Sequence, residues 1–230
     1  MPIRFLALAP LALAQLLPVP VQARPLVVEL FTSQSCSSCP PAEALLGELA
    51  GRPDLLALAF HVTYWNGLGW KDAFAFDGAT QRQVDYADRL GDGTFTPQMV
   101  VDGRRSVVGS LRADVAAALE AARTEATSAA DLVVSRRDGQ MRVTVGPGHG
   151  AARVVVVGFD RAHRTAVARG ENAGRSIDQT NVVRSLRDLG PWEGRPLDLT
   201  GPAPAGEVLA VLLQGADGRI LGAARLQPGA

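Results

Sequence analysis

Leu26-Val27-Val28-Glu29-Leu30-Phe31, then Thr32-Ser33-Gln34-Ser35, then Cys36-Ser37-Ser38-Cys39-Pro40-Pro41-Ala42-Glu43 is the stretch on which the reading of the chain turns. The first piece is an apolar run of strand length, interrupted only by Glu29, and it reads as a buried strand. The second is a polar loop. The third opens a helix predicted over Cys36 to Ala50, with Leu45, Leu46 and Leu49 on one face and Gly51 as its stop. Pro40 and Pro41 fit such a helix only in its first turn, where backbone N–H groups have no helical partner. The two cysteines are therefore expected at the helix N-terminus.

Downstream, Leu55 to His61 reads as a second strand and Asp72 to Leu90 as a helix closed by Gly91-Asp92-Gly93. Gln98 to Val101, the turn Asp102-Gly103 and Arg105 to Gly109 form a hairpin. Leu111 to Arg123 is an alanine-rich helix. Strands joined through a helix run parallel, and strands joined by a short turn run antiparallel. The order β-α-β-α-β-β-α is the minimal thioredoxin arrangement, so a thioredoxin-like α/β domain is expected over 24–128.

After the polar join Glu125 to Asp131 the pattern changes. Leu132–Ser135, Met141–Val145, Arg153–Phe159, Thr165–Arg169, Asn181–Leu186, Glu207–Leu213 and Ile220–Leu226 read as strands, and Asp138-Gly139 and Asp217-Gly218 as hairpin turns. An antiparallel β-sandwich domain is expected over 129–230.

Upstream, Arg4 precedes the apolar run Phe5 to Leu17, Pro18 breaks it, and Val21-Gln22-Ala23 has the small-residue spacing of a cleavage site. This is the pattern of a signal peptide over 1–23, and the apolar run is short for a membrane span. A periplasmic or secreted protein without stable membrane insertion after cleavage is expected. The 230 residues carry 23 basic and 23 acidic side chains, a balance that gives no electrostatic footprint for nucleic acid.

Both cysteines of the chain lie in the Cys36-Ser37-Ser38-Cys39 pair. A disulfide between them closes almost no loop, so it is poorly suited to a purely stabilising role. A zinc site would need further ligands, yet there is no second such pair and His61, His149 and His163 lack finger spacing. No resident metal or cofactor is expected. The thiolate is the nucleophile in disulfide exchange, and a helix start favours it. The first cysteine of such a pair is the exposed one, so Cys36 is expected to attack and Cys39 to resolve the mixed disulfide. His61, Tyr64, Trp65 and Trp70 follow the second strand, where α/β sheets bind ligands. They either line a substrate groove or pack as a structural loop. Gly170 to Arg175 reads either as a binding loop or as a plain turn.

Phe31-Thr32-Ser33-Gln34-Ser35-Cys36-Ser37-Ser38-Cys39-Pro40-Pro41-Ala42-Glu43 resembles the signature of a bacterial family of exported thioredoxin-like proteins of unknown function (domain of unknown function 1223). His61 to Asn66, Leu68 to Asp72, Thr96 to Gly103, Gly170 to Arg175 and Asn181 to Arg184 are similar to its further motifs. Asp is commoner in the family where this chain has Thr63 and Asn66. The resemblance implies a cis peptide bond between Thr96 and Pro97, packed near the cysteines. It also implies that Glu29 is a buried acid beneath Cys39, since a carboxyl shielded from water is suited to carry a proton; read from the strand alone, Glu29 is equally a strand-end glutamate that reaches solvent.

The expected function is therefore a thiol–disulfide oxidoreductase acting on protein or small-molecule thiols and disulfides. The alternatives are a copper carrier that uses the same thiols with His61, and a redox-regulated interaction module.

Overall fold

The computed structural model describes residues 24–226; the expected signal peptide lies outside them. Fourteen elements follow: β1 (Leu26–Thr32), α1 (Pro40–Ala50), β2 (Leu55–His61), α2 (Asp77–Leu90), β3 (Gln98–Val101), β4 (Arg105–Val108), α3 (Arg112–Glu125), β5 (Leu132–Arg137), β6 (Gln140–Val145), β7 (Ala152–Ala166), β8 (Ser176–Trp192), β9 (Leu197–Pro202), β10 (Val208–Gln214) and β11 (Ile220–Arg225). A 3-10 turn, Thr63–Trp65, leaves the end of β2.

The expected architecture is not what forms. One eight-stranded mixed sheet, in the order β11-β10-β7-β8-β2-β1-β3-β4, runs through both halves of the chain, and a three-stranded sheet, β5-β6-β9, lies against it. The fold is mixed α/β, not a thioredoxin-like domain followed by a β-sandwich. The seam is β8 on β2, parallel, with Val182 opposite Ala59. Asn181 adds a side-chain bond there, its Nδ2 donating to the Ala57 carbonyl at 2.8 Å. The physical reason is an edge. Strand β2 is buried along its whole length, and an apolar strand with one unpaired side is a template for another strand. Here β8 of the same chain takes that place.

Strands β7 and β8 form one long antiparallel hairpin. The inner part of β7, Ala152 to Phe159, is largely buried, whereas its outer part is half-exposed. That change of burial along one strand is why the sequence reads as two short strands rather than one.

The strand alternation assigns the faces. On β1, Val27 and Phe31 pack with α2 residues Ala79 and Tyr86, while Val28 and Leu30 pack with α1 residues Ala42, Leu45, Leu46 and Leu49 and with α3. Successive strand side chains point to opposite faces. Glu29 therefore lies on the α2 face, and Thr32 on the α1 face. A third core, built from Trp192, Val143, Val154, Leu209 and Val211, joins the small sheet to β7 and β10.

Candidate functional site

Cys36 and Cys39 are joined in a disulfide at the start of α1, with Cys39 at the N-cap and prolines in the first turn. Cys39 N–H donates to the Cys36 carbonyl at 3.2 Å. The Thr96 hydroxyl donates to Cys36 Sγ at 3.4 Å, and Trp65 Nε1 donates to Thr96 Oγ1 at 2.9 Å. The Thr96–Pro97 bond is cis. Residues far apart in sequence thus meet at one sulfur.

The expected exposure of Cys36 needs correcting. Cys36 is 0% exposed and Cys39 1%, whereas Ser37 and Ser38 reach solvent. The turn Gly170–Arg175 between β7 and β8 binds the backbone on both sides of Cys36. Asn172 Nδ2 donates to the Cys36 carbonyl at 2.8 Å and to the Gln34 carbonyl at 3.0 Å, and Glu171 Oε2 accepts the Ser37 N–H at 3.0 Å. The Ser37 hydroxyl and N–H hold the Glu171 carboxyl below its usual value.

Glu29 is also corrected. It is buried, but on the face opposite α1, where Arg82 donates to both its oxygens at 2.7 and 3.0 Å and the Tyr86 hydroxyl donates at 2.5 Å. An acid locked to a guanidinium across the sheet cannot serve Cys39. Burial pulls Arg82 down, but the Glu29 carboxylate beside it outweighs this and holds it above its usual value.

The acid on the cysteine side is Glu43. It follows Cys39 by four residues, so the two lie one turn apart on one helix face, and Glu43 N–H donates to the Cys39 carbonyl at 3.1 Å. Its Oε1 accepts the Thr32 hydroxyl at 2.8 Å and lies 3.8 Å from His61 Nε2. His61 Nδ1 bonds Asp72 Oδ2 at 2.6 Å, and that oxygen also accepts the Gln34 N–H at 2.8 Å. Glu43 Oε2 and His61 Nε2 have no hydrogen-bond partner.

Burial pushes Glu43 up, more than His61 and the Thr32 hydroxyl pull it down. Burial pulls His61 down, but Asp72 and then Glu43 outweigh it, against a smaller opposing effect of Arg184, and the net shift is upward. Burial raises Asp72, yet His61 and the N–H groups of Gln34 and Phe74 bring it below its usual value. These directions fix a pH response of stability. His61 contributes stability that is full below its ordinary 6.5 and is lost as pH rises through the lifted value. Glu43, lifted above 4.5, also loses stability as pH rises. Asp72 contributes above 3.8 and loses it as pH falls through its depressed value. The melting temperature of the disulfide form should therefore peak between the ordinary values of Asp72 and Glu43, 3.8 and 4.5, and fall further as His61 titrates. A thermal melt series that rises on going above that range would contradict the assignment.

The aromatic cluster divides. His61 is fully buried and lines no groove, because its ring belongs to the α1 face. Trp65 reaches Thr96, and Trp70 Nε1 donates to Gln34 Oε1 at 2.8 Å. Tyr64 is 47% exposed. The sequence reading missed Thr32, Glu43, Asp72, Glu171 and Asn172 as site residues. Among the described residues, no group of three His, Cys, Asp or Glu side chains is arranged to hold a metal ion, and no helix is long and apolar enough to cross a membrane.

The family described as "Protein of unknown function (DUF1223)" matches residues 27–214. The chain belongs to this family. The DUF1223 match spans β1 through β10, and so takes in the cysteines, the Glu43–His61–Asp72 cluster and the Gly170–Arg175 turn. The crystal structure of protein AGR_C_4864 from Agrobacterium tumefaciens is similar at 34% identity and a TM-score of 0.77, over 89% of this chain and 95% of that one. HBP35 of Porphyromonas gingivalis is similar in fold alone, at 12% identity and a TM-score of 0.62, over 90% of this chain and 78% of that one. A search of the curated proteins found no significant match.

Proposed function

We propose that the chain is a thiol–disulfide exchange protein acting through Cys36 and Cys39 on protein or small-molecule thiols and disulfides. The observation that supports this best is the donor chain onto Cys36. Thr96 Oγ1 accepts the Trp65 indole N–H, which leaves its hydroxyl proton directed at the sulfur. A hydroxyl donor and the start of a helix both favour a thiolate at Cys36 once the disulfide is reduced. Cys36 is then the attacking thiol and Cys39 the resolving one. Glu43 takes the proton role first expected of Glu29, since it shares the buried helix face of Cys39 and has an oxygen free of partners.

The test is redox equilibration. Protein held in glutathione buffers of graded ratio should convert reversibly between disulfide and dithiol, and the reduced form should reduce insulin. A cysteine pair that never changes state, with insulin turnover no greater than the blank, would remove the reading.

We also propose that the chain is exported, on the charge, apolar run and Ala23 spacing of residues 1–23. Intact-mass measurement on protein recovered from the cell envelope should find a chain beginning near Arg24. A retained Met1 would refute cleavage.

A further inference from the structure

The turn bonded to the backbone around Cys36 makes an unusual set of bonds. From Ala168 to Ser176 every residue is exposed except Asn172, which is fully buried. Its two amide hydrogens go to the Gln34 and Cys36 carbonyls, and its Oδ1 accepts from Arg175 at 3.1 Å. The preceding residue, Glu171, accepts the Ser37 N–H. An acceptor on one strap residue and a donor on the next thus satisfy both ends of the Cys36–Ser37 peptide unit. A polypeptide laid across this turn carries both kinds of group in its backbone.

The strap is compact in itself. Gly174 N–H donates to the Val167 carbonyl at 2.8 Å and Val167 N–H to the Arg175 carbonyl at 2.9 Å. It can leave the site without losing these bonds. Its approach is set by Gly170, where φ is +81° and a Cβ would stand 3.2 Å from the Trp70 Cβ. Trp70 in turn is tied to Gln34.

We infer that the Gly170–Arg175 strap stands in for a polypeptide segment bound beside the disulfide, and that the substrates are cysteine-bearing polypeptide segments rather than small thiols. This rests on the exchange reading above. A small disulfide would have to uncover Cys36 without replacing the bonds of Asn172 and Glu171. A polypeptide replaces them. Displacing Glu171 also removes a carboxylate from beside the Cys36 thiolate, a like charge that disfavours it.

The chemistry is balanced by the substrate. With the protein reduced, the Cys36 thiolate attacks the substrate cysteine sulfur, and the other half of the substrate disulfide leaves with the bonding pair as a thiolate. Cys39 gives its proton to the Glu43 carboxylate, which returns it to water, and the Cys39 thiolate attacks Cys36 Sγ. The mixed disulfide breaks, and the polypeptide leaves as a thiolate that takes a proton from water. The protein dithiol has been oxidised by two electrons and the substrate disulfide reduced by two.

Two probes test this with the reduced full chain: the thionitrobenzoate disulfides of mercaptoethanol and of a cysteine-centred unstructured peptide, each read by release of the coloured thiol. The native protein should react roughly tenfold faster with the peptide probe, and Asn172→Ala should raise the mercaptoethanol rate by a similar factor and narrow the preference, the scale of two lost hydrogen bonds. Glu171→Gln changes an exposed side chain, and should move the mercaptoethanol rate in the same direction by less. Equal rates for the two probes in the native protein would overturn the inference, as would an unchanged mercaptoethanol rate in both variants. If neither probe releases colour, the exchange reading fails and the inference fails with it; if both do so at equal rates, only the strap inference fails.

Discussion

Arg82→Ala should cost about 3–5 kcal/mol of folding stability, the usual penalty for stranding one member of a buried ion pair. Arg82 is 7% exposed and Glu29 0%. In the intact network Arg82 bonds both Glu29 oxygens, the Tyr86 hydroxyl and Gln214 Oε1. Truncation leaves the carboxylate with Tyr86 alone, under an apolar sheet. The penalty comes from the stranded charge, not from a large net value of the pair, because the desolvation of two ions offsets most of their attraction. Arg82→Leu combined with Glu29→Leu should therefore recover much of the loss. Urea unfolding would show a lower midpoint with an unchanged slope for the single variant. A loss below about 1 kcal/mol, the scale of an exposed pair, would mean that water reaches Glu29.

Cys36→Ser should abolish exchange, and Cys39→Ser should accumulate mixed disulfides. The two sulfurs are not equivalent. Cys36 receives the Thr96 hydroxyl, whereas Cys39 sits at the helix N-cap, one turn from Glu43. With serine at 39 nothing attacks the Cys36 sulfur, so the intermediate persists. Neither change should unfold the chain, since a loop this short gives the disulfide only about 2 kcal/mol of chain-entropy stabilisation. Mass spectrometry of each variant after incubation with oxidised glutathione separates the outcomes. Adducts on Cys36→Ser and none on Cys39→Ser would reverse the roles.

Much of the first half was legible because its signals are local. The apolar runs of β1 and β2 and the Asp102-Gly103 turn announce themselves within a few residues. Element starts were less so: α2 begins at Asp77 rather than Asp72, because the Asp72 carboxylate bonds His61 and the Gln34 and Phe74 N–H groups instead of joining a helix. Alternation showed that Glu29 shares a face with Val27 and Phe31, but not which helix covers that face. The Glu43–His61–Asp72 cluster joins α1, β2 and the loop before α2, and no spacing rule connects them. The continuous sheet was hidden for a similar reason. Its seam is a single parallel pairing between Ala59 and Val182, and the hairpin that delivers it changes from buried to exposed along its length. Gly170 to Arg175 reads either as a binding loop or as a plain turn, and its position beside Cys36 depends on that hairpin.

The seam on β2 also sets an order of events for the newborn chain. β2 leaves the ribosome long before β8, and until β8 arrives its outer edge is a bare apolar ladder. A nascent or truncated chain that ends before Ser176 presents this ladder to any other strand it meets. The first half is thus a liability when made alone, and its safe delivery depends on holding it apart from its neighbours until synthesis has supplied the strand that closes it.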